Sequence, residues 1–418
     1  MSRVRVSPSS LGGRVLVPVS KSAAHRALIC SALAHSTEEL LPPNEPLSED
    51  LRATQGALET LLRAEANGTS AEINCGESGS TLRFLIPVAA ALGLRAHFTG
   101  SGRLPERPLG VYRSCLPEHG VACESAGGLP LSIEGKLKSD LYSLPGNVSS
   151  QFITGLLFAL PLLAGDSRIE LTSPLESAGY VEMTVRILRE FGISVQSEQS
   201  GWSVSGNQNY RPKPGFAVER DWSQAAFFLE AAALGGTLEL EGLNADSCQG
   251  DRAAEALFQT LGAKTEWENG ILIAAPDRRL RNEHSEEIRI DASQIPDLVP
   301  ALAAAAALFA GHRTVIENAS RLRLKESDRL AAMAEGLARL GAKIREMPDG
   351  LVIDGVEYFT GGAVNGYNDH RIVMALAVAA SKTQGDIEIS DAESIRKSYP
   401  GFFEDYRKLG GIVHELGE

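Results

Sequence analysis

Six segments of the chain place a short polar cluster ahead of a run that is apolar on nearly every side. They are "SKSAAHRALICSALA" from Ser20, "GESGSTLRFLIPVAAALG" from Gly76, "SSQFITGLLFALPLLAG" from Ser149, "DWSQAAFFLEAAALGG" from Asp221, "QIPDLVPALAAAAALFAG" from Gln294 and "NDHRIVMALAVAAS" from Asn368. A helix with no polar face predicts burial all round. Ser, Asp or Asn at the start and Gly at the end are the usual caps. Successive starts lie about 72 residues apart, with a shorter first interval of about 56, and this spacing reads as an internal repeat.

Most of these runs are followed by a second helical pattern, as in "MTVRILREFGISVQ", "RAAEALFQTLGAKTEW", "RLAAMAEGLARLGAKIRE" and "FFEDYRKLGGIVHE". Each has apolar residues at i, i+3 and i+4, then Gly, then a short alternating segment. The repeating unit therefore reads as buried helix, strand, amphipathic helix, strand. A chain of 418 residues exceeds one ordinary core, so two α/β domains with three units each are expected. If the buried helices of a domain run parallel, their N-termini emerge together, each carrying roughly half a positive charge. Two such surfaces facing each other form a cleft suited to anions.

Composition narrows the classes. Hydrophobic residues make up 43% and charged residues 22%, the balance of a globular chain. The longest apolar run, from Leu298 to Ala310, contains Pro300 and is too short to cross roughly 30 Å of hydrocarbon. The N-terminus lacks the compact apolar block of a secretory signal. Five cysteines at positions 30, 75, 115, 123 and 248 show no CxxC spacing and no zinc-like pairing with His, so a reduced, cytoplasmic protein is expected. A net charge of -13 argues against nucleic acid but leaves room for a local cationic pocket.

Such cations sit at the helix starts. They are Lys21 and Arg26 with Ser22, Arg83 beside the Gly79 turn, Arg107, Lys325 and Arg329, His370 and Arg371, and Lys397. Ser149, Ser150 and Gln151 open the third run. A cation at a helix N-terminus opposes the macrodipole and costs stability. Singly, each reads as a solvated surface charge. At equivalent positions in repeated units, they point to phosphate and carboxylate ligands, Arg for planar carboxylates and Lys as a point charge. Asp297 and Glu326 stand among them as candidate general acid/base groups. The chain offers no phosphate-binding loop, dinucleotide fingerprint or metal cluster, so acid/base group transfer without cofactor or metal is expected.

Together, "SKSAAHR", "GESGSTLRFL", "LPERP", "SSQF", "IPD", "LRLKESDRLAAM", "NDHRIVMALAVAA" and "RKSYPGFF" resemble, in order, the 5-enolpyruvylshikimate-3-phosphate synthase family. The resemblance runs from about Ser20 to Phe403. It implies a two-domain inside-out α/β barrel of six βαβαββ-like repeats. Residues 1–19 plus 221–418 would form a discontinuous domain, and 20–220 an inserted one, with the active site in the interdomain cleft. It also implies transfer of the enolpyruvyl group of phosphoenolpyruvate to the 5-hydroxyl of shikimate 3-phosphate.

By the same resemblance Ser149, Ser150 and Ser177 hold the shikimate phosphate, and Ser22 and Arg26 its carboxylate. Gln151 and Tyr180 line the ring, and Asp297 and Lys325 contact the hydroxyls. Lys21, Arg107 and Lys397 surround the phosphate of phosphoenolpyruvate, Arg329 and Arg371 hold its carboxylate, and the backbone at Gly79 approaches it. Gln151 serves both ligands, while Arg83 and His370 support. Lys21, Asp297 and Glu326 are the implied catalytic residues, a monomer is expected, and glyphosate is the implied competitor. Three departures from the family pattern stand out: Glu77-Ser78 replaces a frequent Asn-Ala, Phe84 a frequent Pro, and Arg321 a frequent Asn. The rival readings are an enolpyruvyl transferase acting on UDP-N-acetylglucosamine and a non-catalytic anion-binding repeat protein. The first typically carries a Cys in the loop that here reads "GRLPERP"; Cys115 falls later.

Overall fold

The computed structural model describes residues 2–43, 45–277, 279 and 287–417. The chain divides into two compact units, one formed by Met1–Ser20 with Glu219–Glu418 and the other by Lys21–Val218. Strands β1 (Arg3–Ser7) and β2 (Gly12–Leu16) belong to the first unit, and the chain enters the second at Lys21.

The second unit contains α1 (Lys21–Leu33), α2 (Glu49–Asn67), β3 (Ala71–Asn74), α3 (Gly79–Ala91), β4 (Ala96–Thr99), α4 (Gly110–Glu118), β5 (Val121–Glu124) and β6 (Leu131–Gly135). It continues through β7 (Leu141–Leu144), α5 (Ser150–Ala159), β8 (Ser167–Leu171), α6 (Ala178–Glu190), β9 (Gln196–Glu198) and β10 (Gly201–Val204). Its sheets run β3-β4-β6-β5 and β7-β8-β10-β9. In α3 every residue but Ser80 is buried, and in α5 every residue but Gln151. These helices touch closely at Gly155, where a Cβ would run into the Arg83 carbonyl and the Tyr112 hydroxyl. Any side chain there forces the pair apart.

The rest of the first unit follows: α7 (Trp222–Leu234), β11 (Thr237–Glu241), α8 (Ala254–Thr260), β12 (Ala263–Glu268), β13 (Ile271–Pro276), β14 (Ile288–Asp291), α9 (Val299–Ala307), β15 (Arg313–Glu317), α10 (Arg329–Arg339), β16 (Lys343–Met347) and β17 (Gly350–Asp354). It closes with β18 (Gly362–Val364), α11 (His370–Ala379), β19 (Ile387–Ile389), α12 (Phe402–Lys408) and β20 (Ile412–Leu416). Its sheets run β18-β19-β1-β20, β12-β13-β11-β2 and β14-β15-β17-β16. Helices α7, α9 and α11 are buried at every position and pack on one another in one core. Their Ala-rich sequences permit that approach, because a methyl group fills little space between backbones.

All five sheets share one plan, a parallel pair at one edge followed by two antiparallel pairings. The segment from α1 to β3 adds α2 but no strand of its own among the described residues. That shortfall accounts for the short first interval of the sequence pattern. Side-chain caps close the starts of α3 (Ser78), α5 (Ser149), α7 (Asp221) and α11 (Asp369). Helix α9 starts at Val299 with no side-chain cap, so Asp297 lies in the turn before the helix.

Glu230 on α7 is fully buried, and neither carboxyl oxygen meets a hydrogen-bond partner among the described residues. Burial holds this carboxyl well above the ordinary range. The folded chain therefore keeps a proton that the unfolded chain releases, so stability is fully present below the ordinary carboxylate pKa. It falls as pH rises toward the folded-state value. Glu230→Gln cannot ionise and is expected to melt above the parent at pH 8, with the gap closing toward pH 4. Each kcal/mol is worth about 2–4 °C in a folding unit of about 150–250 residues, the size class of the unit that holds Glu230. Melting curves at the two pH values check this, and equal gaps would contradict it.

Candidate functional site

The second unit gathers one set of the expected residues. Lys21 opens α1, and its Nζ donates to Asp50 Oδ2 at 2.7 Å. One turn on, the Arg26 guanidinium is buried, donating from Nε to Thr184 Oγ1 (2.8 Å), from Nη1 to the Ser22 carbonyl (2.7 Å) and from Nη2 to the Tyr180 carbonyl (3.0 Å). It also lies 5.2 Å over the Phe84 ring and 6.0 Å from that of Tyr180. Arg26 thus ties α1 to α6 and α3.

At α5, Ser149 Oγ accepts from the Gln151 amide (3.3 Å). The Gln151 side chain receives Arg83 Nη1 at 2.6 Å and donates to Ser80 Oγ at 3.0 Å, which fixes its amide orientation. Arg83 also donates to the Pro108 carbonyl (3.1 Å) and stands 5.2 Å over Phe152. Arg107 lies directly against Gly79, where a Cβ would fall 2.6 Å from Nη1. A glycine there lets the guanidinium come close to the N-terminus of α3. Ser177 takes the left-handed conformation (φ 57°) immediately before α6.

The first unit gathers the other set. Asp297 Oδ1 accepts from Arg329 Nη1 (2.9 Å) and Lys325 Nζ (3.4 Å). Arg371 donates from Nη2 to Asp297 Oδ2 (3.1 Å) and from Nη1 to the Asp297 carbonyl (3.0 Å). Arg329 also donates from Nη2 to Glu326 Oε2 (2.9 Å) and from Nε to Asp369 Oδ2 (2.8 Å). Its side chain is 1% exposed and that of Asp369 0%. Burial works against the Arg329 charge, but Asp369, Glu326 and Asp297 outweigh it and hold the guanidinium above its ordinary range. One buried cation therefore organises three carboxylates.

The "NDHR" cluster divides its tasks. Asp369 caps α11, accepting from the Arg371 amide at 3.0 Å, while it also holds Arg329. Asn368 takes φ 51° and offers its carbonyl to Lys397 Nζ at 2.6 Å. His370 is buried, its Nδ1 3.9 Å from Asp369 Oδ1.

The three departures each have a local setting. The Glu77 carboxylate packs against Gly102, whose φ of 57° favours glycine. Phe84 meets Phe158 edge-on at 5.6 Å and His25 at 6.5 Å. Arg321 Nη2 donates to the Ser293 carbonyl at 2.6 Å.

Two carboxylates beside these residues carried no functional mark in the sequence. Asp50 reads there as a first-turn acid of an amphipathic helix, which the dipole alone explains. Asp251 belongs to a turn, "QGDR", with nothing to flag it; it accepts a hydrogen bond from Ser223 Oγ, and burial, then the charge of Asp297, raises its carboxyl to about 6.

Comparison with known proteins shows the family. The family model of EPSP synthase (3-phosphoshikimate 1-carboxyvinyltransferase) matches residues 6–406. A 3-phosphoshikimate 1-carboxyvinyltransferase of Clostridium kluyveri is 44% identical over 431 residues, covering 99% of both chains. One of Clostridium acetobutylicum is 42% identical over 440 residues, covering 100% of both. A solved EPSP synthase of Acinetobacter baumannii superposes with a TM-score of 0.77 at 25% identity over the full length of both chains. By sequence over its whole length and by its mixed α/β fold, the chain belongs to the EPSP synthase family.

Proposed function

We propose that the chain transfers the enolpyruvyl group of phosphoenolpyruvate to the 5-hydroxyl of shikimate 3-phosphate and releases phosphate. The observation that carries this reading is the pair of carboxylates, Asp297 and Glu326, held by the one buried guanidinium of Arg329. An acid/base pair fixed beside cations is what proton transfer next to an anionic substrate needs.

In this reading Ser149, Ser150 and Ser177 hold the shikimate phosphate, and Ser22 and Arg26 its carboxylate. Gln151 and Tyr180 line the ring, and Lys325 and Asp297 contact the hydroxyls. Lys21, Arg107, Lys397, the Gly79 backbone and Gln151 surround phosphoenolpyruvate, whose carboxylate faces Arg329 and Arg371. Arg83 and His370 support these groups.

Asp297 accepts the proton of the 5-hydroxyl as that oxygen bonds to the central carbon of phosphoenolpyruvate. Glu326, with Lys21, delivers a proton to the methylene carbon, giving a methyl group and a tetrahedral intermediate. Glu326 then removes a proton from that methyl group as the bond from carbon to the phosphate oxygen breaks. The cations stabilise the departing phosphate.

The sheets of common plan, three in the first unit and two in the second among the described residues, support a finer fold of six repeats in the family's inside-out α/β barrel, with the segment from α1 to β3 standing for the repeat that lacks its own sheet. The same reading makes the chain a cytoplasmic monomer and glyphosate a competitor of phosphoenolpyruvate.

Phosphate release from phosphoenolpyruvate, followed with shikimate 3-phosphate or UDP-N-acetylglucosamine as acceptor, tests the assignment. Release with the first acceptor alone is expected. Release only with the second would move the chain to the rival transferase, and release with neither would remove the catalytic reading.

A further inference from the structure

We propose that His25, Thr54 and Thr81 form a buried positioning relay that sets the affinity for phosphoenolpyruvate by fixing the N-terminal turn of α3. The inference rests on the catalytic reading above, in which the backbone at Gly79 and the Arg107 side chain face that substrate.

The relay is continuous and enclosed. Ser78, the cap of α3, accepts at Oγ from the Thr81 amide (3.2 Å) and from the Thr81 hydroxyl (2.7 Å). Thr81 Oγ1 lies 2.6 Å from Thr54 Oγ1 on α2, which lies 2.7 Å from His25 Nδ1 on α1. Ser78, Thr81 and Thr54 are 0% exposed and His25 is 1% exposed.

Its direction follows from counting hydrogens. A hydroxyl carries one. Thr81 gives its hydrogen to Ser78, so Thr54 must donate to Thr81. Thr54 must in turn accept from His25, which fixes the imidazole with its hydrogen on Nδ1. The other acceptor near Thr54 Oγ1, the Asp50 carbonyl, is more distant at 3.3 Å. Burial and the neighbouring charges of Lys21 and Arg26 hold His25 well below its ordinary pKa, so the ring stays neutral as this direction requires. Nε2 meets no partner among the described residues, which leaves Nδ1 as the ring's single hydrogen-bonded atom there.

The geometry gives α2 a purpose that none of its residues has by contact with substrate. Asp50 in its first turn holds Lys21, and Thr54, one turn on, reaches the cap of α3 through Thr81. His25 also stands edge-on to Phe84 (86° between rings), whose face receives Arg26. The Arg107 guanidinium lies close against the turn at Gly79, so a displacement of the turn also displaces it. A shift of a few tenths of an ångström there weakens several hydrogen bonds to an anion at once.

The test compares the full chain with Thr54→Val, Thr54→Ser and His25→Asn, measuring kcat and the KM for each substrate. Thr54→Val keeps the shape and removes the hydroxyl, leaving buried partners unsatisfied. It should raise the KM for phosphoenolpyruvate about five- to twentyfold. The KM for shikimate 3-phosphate and kcat at saturation should stay within about twofold of the parent. Thr54→Ser restores the hydroxyl and should restore the parent KM. His25→Asn places an amide nitrogen where Nδ1 stood and should stay close to the parent.

An active parent in which Thr54→Val leaves the KM for phosphoenolpyruvate unchanged overturns the relay alone. So does one in which it raises both KM values equally, or in which Thr54→Ser fails as Thr54→Val does. A parent that releases no phosphate overturns the catalytic reading, and with it the relay's role.

Discussion

Glu326→Gln is expected to lower kcat by about 10²- to 10⁴-fold, the usual worth of a positioned proton-transfer group. The KM for both substrates should stay within a few-fold of the parent. Glutamine keeps the shape of the side chain and an oxygen for Arg329 Nη2, which the glutamate now meets at 2.9 Å. What it loses is the exchangeable carboxyl proton. In the proposed cycle the carboxyl group moves a proton twice, delivering one to the methylene carbon and later taking any one of the three off the methyl group, so both half-reactions slow. Steady-state kinetics with a direct binding measurement separate this from lost affinity. Turnover close to the parent would take Glu326 out of proton transfer.

Arg329→Met is expected to cost about 3–5 kcal/mol of stability, the range for a buried charge left without its partner. Its side chain is 1% exposed and meets Asp369, which is 0% exposed, as well as Asp297 and Glu326. Removing the guanidinium takes a shared cation from Asp369 and Glu326 and leaves Asp297 to Arg371 and Lys325, and a methionine of similar length fills the space without replacing that charge. At about 2–4 °C per kcal/mol, the melting temperature should fall by about 6–20 °C. Turnover should vanish, because Glu326 loses the Arg329 contact and Asp297 one of its three cations. Adding Asp369→Asn to the same chain removes one of the orphaned charges and should recover part of the stability and none of the activity. A melting temperature within about 2 °C of the parent for Arg329→Met would contradict the account of this buried cluster.

The six apolar runs were legible because a helix without a polar face has few places to go except a core, and α7, α9 and α11 are buried at every position. Capping was legible at Ser149, Asp221 and Asp369, where a short polar side chain precedes the run. At "IPD", α9 begins beyond Asp297 at Val299, and the carboxylate meets Arg329 and Arg371. In "NDHR", Asp369 both caps α11 and holds Arg329.

Partners distant in sequence stayed hidden for a physical reason. Lys21 and Asp50 meet across 29 residues, as do His25 and Thr54, and Thr54 and Thr81 across 27. Helical spacing reports neighbours three or four residues apart and is blind to these. A threonine inside a helix also looks the same in sequence whether it relays a hydrogen bond or merely packs.

The most direct test of the central claim is to run the chain with phosphoenolpyruvate and shikimate 3-phosphate in D₂O and weigh the product. The account predicts an acceptor heavier by one enolpyruvyl group, with deuterium in its methylene carbon, because that carbon passes through a methyl group before phosphate leaves. A product carrying the enolpyruvyl group with no deuterium on that carbon, or no such product at all, would contradict it.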